Sequence, residues 1–296
     1  MPNVRIRLVL ALLVALAGAP AAVSADETPA LADLPDYMRN WEFGLHAEND
    51  TAFRAFADLI LPLYRPADRT SAVFLEPRVS HVDHATLWNL GTGYRRLVRN
   101  NTWLLGANAF YDYQAERHHT RFGVGLEALS AYAEFRANGY FGLSPTRKIQ
   151  EDGATTNVER AVDGFDVEVG APVPHYSRLK LFGGYEWYDF KKFKNREGWS
   201  VRAEYQPVPT LVLDLTYGDN TKRDPGLGVN VAFRLPIWDP AGWKTAESPF
   251  RLDKAIFPDS DVSDRLFTLV ERRHEIVVES YSEAVGQISV EIKRGT

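Results

Sequence analysis

Apolar residues recur at every second position between about Trp41 and Ile237, in segments of roughly 8 to 12 residues separated by turn chemistry. That is the period of β-strands. In the stretch from Trp199 to Gln206 one face carries Trp199, Val201, Ala203 and Tyr205, and the other Ser200, Arg202, Glu204 and Gln206. Leu211, Leu213, Leu215 and Tyr217 repeat the design, as do Leu227, Val229, Val231, Phe233 and Leu235 with Asn230 and Arg234 opposite. Twelve such segments begin near Trp41, Arg54, Ala72, Thr86, Thr102, Thr120, Ala131, Gly164, Leu179, Trp199, Leu211 and Leu227.

A soluble β-sandwich alternates too, so three further features choose the environment. First, the polar face places Asp112, Glu134, Arg136, Arg202 and Glu204 in strand interiors, which suits a wet lumen where charges pair, while the opposite face of the clearest strands is free of charge, as lipid requires. Second, Trp88, Trp103, Tyr111, Trp187, Trp199 and Tyr217 lie near strand ends, where the two membrane interfaces would be. Third, tight links near Arg99 to Thr102, Leu129 to Ala131 and Gln206 to Thr210 alternate with stretches expected to be long polar loops, Gln114 to Arg121, Leu143 to Asp163, Phe190 to Gly198 and Gly218 to Gly226. The expected fold is all-β: a twelve-stranded antiparallel transmembrane β-barrel of the outer membrane over 41–239, with both ends of the barrel in the periplasm. Closure leaves no bare strand edge in lipid. Gly91, Gly93, Gly106, Gly123, Gly125, Gly183 and Gly184 lie inside strands and are expected to allow tilt and bending.

The first residues fit this compartment. Arg5 and Arg7 precede the apolar run Leu8 to Leu16, and Val23-Ser24-Ala25 is a small-x-small cleavage signal, so 1–25 reads as a secretory signal peptide and 26–40 as a short periplasmic segment. No stretch reaches the 18 or so apolar residues of a transmembrane helix. The chain has no cysteine, which excludes disulfides and thiolate metal sites. Its 34 Lys and Arg against 39 Asp and Glu give a net −5, or −7 once Arg5 and Arg7 leave with the signal, and this argues against nucleic acid as a partner.

Candidate chemistry is thin. His81-Val-Asp83-His84 has no recognised metal-ligand spacing and reads as loop, and His118-His119 is similarly weak. Ser130 and Ser144 carry no local signature of an activated nucleophile. Gly91-Thr-Gly93 and Gly123-Val-Gly125 lack the third glycine and following helix of a dinucleotide site. No enzyme activity, cofactor or metal is expected. Lys191, Lys192, Lys194 and Arg196 form a basic loop that could meet lipopolysaccharide phosphates, with ordinary loop solubility as the alternative.

Four stretches in order carry a resemblance: Asn89-Leu-Gly-Thr-Gly-Tyr-Arg-Arg-Leu-Val98, Gly106-Ala-Asn-Ala-Phe-Tyr-Asp-Tyr113, Ala137-Asn-Gly-Tyr-Phe-Gly-Leu-Ser144 and Asp163-Gly-Phe-Asp166. With Leu61-Pro-Leu-Tyr64 before them and Arg265 to Arg272 and Ile276 to Glu279 after, the sequence resembles the barrel domain of the intimin/invasin family, the inverse autotransporters, over roughly Phe53 to Glu279. The resemblance implies a barrel whose downstream segment threads back through the pore and presents a C-terminal passenger, usually adhesive, at the cell surface. Gly228, Val231 and Phe233 are similar to the last-strand signal read by the barrel-assembly machinery. The implied partners are that machinery, periplasmic chaperones, outer-membrane lipids and lipopolysaccharide, with any host or cell-surface receptor unknown. The stretch before Trp41 leaves no room for the peptidoglycan-binding module of many relatives. The 57 residues after Asp239 are fewer than the ~100 of one immunoglobulin-like passenger domain.

The tail is expected to be a linker or lumen plug over 240–264 and a short β segment over 265–296. Pro249 suits the first turn of a short helix carrying Phe250, Ile256 and Phe257, stopped by Pro258. Leu266 to Val270, Ile276 to Tyr281 and Gln287 to Lys293 read as short strands, the first two joined by a charged turn from Glu271 to Glu275. The expected function is translocation and anchoring of this tail. The alternative is a stand-alone porin-like or structural barrel with the tail held in the lumen or periplasm.

Overall fold

The structure is a computed structural model, and it describes residues 41–48, 53–82, 85–152, 155–234, 250–257 and 260–284. Its strands are β1 (Trp41–Glu48), β2 (Arg54–Leu59), β3 (Leu61–Tyr64), β4 (Ser71–Val82), β5 (Ala85–Val98), β6 (Trp103–Gln114), β7 (His119–Ser130) and β8 (Glu134–Gly142). They continue as β9 (Arg147–Asp152), β10 (Thr155–Ala161), β11 (Gly164–Val173), β12 (Tyr176–Tyr188), β13 (Arg196–Val208), β14 (Leu211–Asn220), β15 (Arg223–Arg234) and β16 (Val278–Ala284). β2 and β3 are one strand interrupted at Ile60, both pairing with β4. Pro62, which cannot donate to a ladder, sits just past the interruption. Counted so, twelve antiparallel strands close on themselves, the last returning to the first with Phe233 opposite Phe43 and Val231 opposite Leu45. The expected twelve-stranded barrel is therefore the fold, and its strands begin within a few residues of the expected positions.

The burial pattern is inside out for a protein in water. Along β5 buried and exposed residues alternate strictly, with Asn89 and Arg95 inside and Trp88, Leu90 and Tyr94 outside. Leu126 is 66% exposed while Arg121, on the same strand, is 0% exposed. An apolar belt of this kind is stable only against lipid, where its exposure costs nothing, and the enclosed charges are stable only because they pair. Among the described residues no helix is long and apolar enough to cross a membrane, so the strands do the crossing.

Both ends of the twelve-strand path, Trp41 and Arg234, lie at one end of the barrel, called here the near end. Tight links such as 99–102, 131–133 and 209–210 are there. The far end departs from the expected pattern of long loops. β6 and β7 pair as far as Gln114 and His119, and β14 and β15 as far as Asn220 and Arg223, so the polar stretches Gln114 to Arg121 and Gly218 to Gly226 are tops of hairpins that rise past the belt. Residues in a ladder above the lipid need not be apolar on their outer face, which is why these stretches look like loop in sequence. The stretch Leu143 to Asp163 is long, and it carries its own hairpin, β9 and β10. Of the expected girdle residues, Trp88, Tyr111, Trp187, Trp199 and Tyr217 lie toward the far end and Trp103 at the near end, where it donates from Nε1 to the Tyr132 hydroxyl at 2.9 Å.

Two of the strand glycines serve close approach. A Cβ at Gly91 would strike the Phe110 ring, and one at Gly93 the Phe74 ring. Both rings lie inside the barrel and pack with Ile60 and Val270. Gly91→Val is expected to destabilise the folded barrel by about 1–3 kcal/mol through overpacking. The midpoint of urea unfolding in lipid vesicles reads this, and an unchanged midpoint would mean that the ring shifts freely.

The signal peptide, the 26–40 segment, residues 235–249 and the expected strand Gln287 to Lys293 lie outside the described residues.

Candidate functional site: a lumen filled by the chain's own tail

The tail first meets the barrel at the near end. Residues 250–257 are not the expected helix: they form bends tied to the β11–β12 turn, with His175 N–H donating to the Ile256 carbonyl at 2.8 Å and Asp253 N–H to the His175 carbonyl at 2.7 Å. These cross-chain bonds take backbone groups that a helix would use internally. Hydrogen bonds from Ser177 hold the Asp253 carboxyl below the usual carboxylate range. Val262 then donates to the Asn101 carbonyl at 2.9 Å, and Asp261 is held low in the same way by Ser263 and Asn101.

From there the tail enters the barrel. Ser263–Phe267 is a 3-10 turn, so the expected strand Leu266 to Val270 is not one. Leu266 is fully buried among Ala72, Leu97, Leu104 and Leu129 of the wall. Arg265 pairs with Glu134 at 2.8 Å. Arg95, itself held by Glu127, donates to the carbonyls of Leu266 and Thr268, and the Val270 N–H donates to Glu76 at 3.2 Å.

The stretch Glu271 to Glu275 corrects the sequence reading most. It is not a solvated turn but an irregular, bent segment clasped by the wall. Arg272 makes a two-point pair with Asp112, at 2.9 and 2.7 Å, and lies over the Phe110 ring at 4.2 Å. Arg121 donates to the same carboxylate at 2.7 Å and to the carbonyls of Arg273 and Glu275 at 2.7 and 2.6 Å. Asn89 reaches both Asp112 and the His274 carbonyl. Arg273 pairs with Glu186, and its N–H donates to the Tyr140 hydroxyl at 2.8 Å, which donates onward to Asp166 at 2.6 Å. Glu275 pairs with Arg54. A segment outside any helix or sheet has no ladder of its own, so wall side chains satisfy its backbone.

At the far end the tail becomes a strand. β16 pairs antiparallel with β10, Val278 opposite Ala161 through Ala284 opposite Thr155, to make a three-stranded sheet with β9. Glu279 is its lock: fully buried, it pairs with Arg160 at 2.6 Å and accepts from the amides of Lys191, Lys192 and Phe193. The lumen segment is thus Ser263 to Val277 rather than 240–264.

The singled-out residues are placed as follows. Asp112, Glu134, Arg136, Arg202 and Glu204 face the lumen. Asp112 and Glu134 take the tail, while Arg136 and Arg202 pair with Glu168, and Arg202 also with Glu204 and Asp214. Gly228, Val231 and Phe233 lie on the closing strand against Glu48, Leu45 and Phe43. The basic loop does not present four free cations. Arg196 turns inward to Glu186 at 2.6 Å, Lys191 pairs with Asp189, Lys192 lies over the Tyr281 ring of the tail, and Lys194 is exposed. Of the His81 cluster only His81 is described, with Nδ1 at 3.1 Å from the Thr86 hydroxyl.

His119 and Ser144, dismissed separately in sequence, come together with Glu159. The His119 ring sits 3.2 Å from the Ser144 hydroxyl and 3.3 Å from the Glu159 carboxylate. That contact, with Arg117 beside it, holds the Glu159 carboxyl below its ordinary range and fastens β10 to the rim.

Fold and site together define an outer-membrane β-barrel whose lumen is occupied by its own C-terminal segment. The family model for the inverse autotransporter β-domain matches residues 27–244, and the chain belongs to that family. It is 29% identical over 161 residues to a putative attaching and effacing protein homolog of Escherichia coli K12, covering 51% of this chain and 53% of that protein. It is 28% identical over 234 residues to an invasin of Yersinia enterocolitica, covering 75% of this chain and 26% of the invasin. The chain thus spans about half the length of the first relative and about a quarter of the second. A solved chain from a study of the in-meso crystallization of membrane proteins superposes with a TM-score of 0.66 at 23% identity, covering 81% of this chain and 99% of that one, and shares the fold. The outer membrane is the location that the family and the barrel give, and the family is not one of enzymes.

Proposed function

We propose that the barrel carries its own C-terminal segment through its lumen to the cell surface and holds it there, after export directed by residues 1–25 as a cleaved signal. The observation that supports this most is the continuous path of the tail. It enters beside Asn101 at the end where the barrel begins and finishes, and joins β10 as a strand at the opposite end. Barrels of this kind keep their short turns and both chain ends in the periplasm, so the far end faces outward. The relatives' names, an invasin and an attaching and effacing protein homolog, support adhesion as the task of whatever is displayed. No catalytic step belongs to this reading.

A tag placed after Thr296 is expected to be removed by protease added to intact cells. A tag that survives conditions shaving a control surface protein would count against display. It would favour the second reading, a barrel permanently plugged by its tail, which the many wall-to-tail hydrogen bonds support. Lipopolysaccharide contact through the exposed Lys194 belongs with either reading.

A further inference from the structure

Asp58 on β2, Glu76 on β4 and His274 of the tail bring three ligand atoms within 4.8 Å of one another inside the barrel. We propose that they form a binding site for a divalent transition cation of the zinc class, which clamps the threaded tail to the wall.

The two carboxylates of the cluster are unequally partnered. Asp58 is buried and pairs with Arg78 at 2.8 Å, its other oxygen accepting from the Leu59 amide. Glu76 is 0% exposed, and its hydrogen bond among the described residues is from the neutral Val270 amide. Of the arginines nearby, Arg95 is occupied by Glu127 and by tail carbonyls, and Arg272 by Asp112. Glu76 is therefore a buried carboxylate with no direct ion pair, a costly state that a bound cation relieves.

A second, independent feature lies on the tail. The Nε2 atom of His274 is shut off from solvent and has no hydrogen-bond partner, although buried polar atoms are nearly always paired. An imidazole beside two carboxylates is the donor set of zinc and its neighbours rather than of calcium or magnesium, which prefer all-oxygen shells. Three protein donors leave a fourth position for water. Zinc bonds of about 2.0–2.2 Å ask the three atoms to draw together by about 1 Å, by rotation of the Glu76 and His274 side chains. The site spans the barrel and its cargo, so the cation would form only with the tail in place. It rests on the tail lying in the lumen and not on its reaching the cell surface.

Purified full-length barrel, stripped with chelator and dialysed against Zn2+ at pH 7.5, is expected to retain one zinc per chain and to release it again to excess chelator. Glu76→Gln keeps an acceptor for the Val270 amide but removes the charge, and His274→Ala removes the nitrogen. Both are expected to bind at least tenfold more weakly, while His81→Ala binds as wild type. Heat-modifiable gel mobility confirms that each variant is folded. Zinc-edge X-ray absorption of the wild type, which needs no variant, is expected to show one imidazole among oxygens. No stoichiometric zinc on the wild type, unchanged binding by Glu76→Gln and His274→Ala, or two or more imidazoles at the metal would each overturn the proposal, the first leaving a proton on Glu76 as the balancing charge. Zinc bound by a barrel whose tag stays hidden on cells would sink display and leave the clamp standing.

Discussion

Removing residues 240–296 is expected to turn a closed barrel into a conducting one. In the full chain, Leu266 and Val270 seal against apolar wall residues, and Arg272 and Arg273 bridge to opposite parts of the wall through Asp112 and Glu186. Without the tail these contacts are gone, and water is expected to enter the space it occupied. The barrel should survive the loss. The groups the tail leaves, among them Arg95, Arg121 and Asn138, become hydrated instead of unsatisfied, and the twelve-strand ladder closes without it. Asp112, Glu134 and Glu186 each lose a cationic partner when Arg272, Arg265 and Arg273 go, so the open pore is expected to prefer cations. Planar-bilayer recording reads both points. Full-length barrel should show little steady current and the truncated form discrete cation-selective openings. Equal conductance of the two would mean that the tail does not fill the lumen in a membrane.

Much of this fold is legible in sequence because lipid imposes a strict pattern. A residue such as Leu90 or Leu126 must be apolar where it faces hydrocarbon, and its neighbours are free to be Asn89 or Gly125, so period-two alternation survives along most strands. The wall charges are legible for the same reason. What they do is not: Asp112 and Arg272 stand 160 residues apart, and no local rule joins them. The run Glu271 to Glu275 looks like a solvated turn because charges in short runs usually are. A signal was nevertheless present, since a barrel with Asp112, Glu76 and Glu186 inside offers partners for a downstream pair such as Arg272 and Arg273. The hairpin of β9 and β10 is mostly polar and would be a marginal structure alone; pairing with β16 supplies the third strand. Nothing within 147–161 announces that. Ser144, His119 and Glu159 were scattered in sequence for the same reason, being joined only once the hairpin folds over the rim.

Asp112→Ala is expected to be the most damaging single change in the lumen. This carboxylate accepts from Arg272 at 2.9 and 2.7 Å, from Arg121 at 2.7 Å and from Asn89 at 2.7 Å, all in a space where Asp112 and Arg121 are 0% exposed. Removing it leaves two buried guanidiniums without an anion, a loss of about 3–5 kcal/mol for a broken buried pair. Arg272→Ala should cost less, about 1–3 kcal/mol, because Asp112 keeps Arg121 and Asn89 and only the tail contact and the stacking over Phe110 are lost. The double variant should then be less damaged than the sum of the two, since once Asp112 is gone one of the stranded cations has been removed. Urea unfolding in vesicles measures all three, with the slope checked for constancy so that midpoints report stability. The same cycle in the barrel lacking residues 240–296 isolates the wall: there Asp112→Ala strands only Arg121, beside an open and hydrated lumen, and its cost should fall well below that in the full chain. Additive losses in the full chain, or an undiminished Asp112→Ala effect after truncation, would show that Asp112 supports the wall alone and that its pair with Arg272 does not hold the tail.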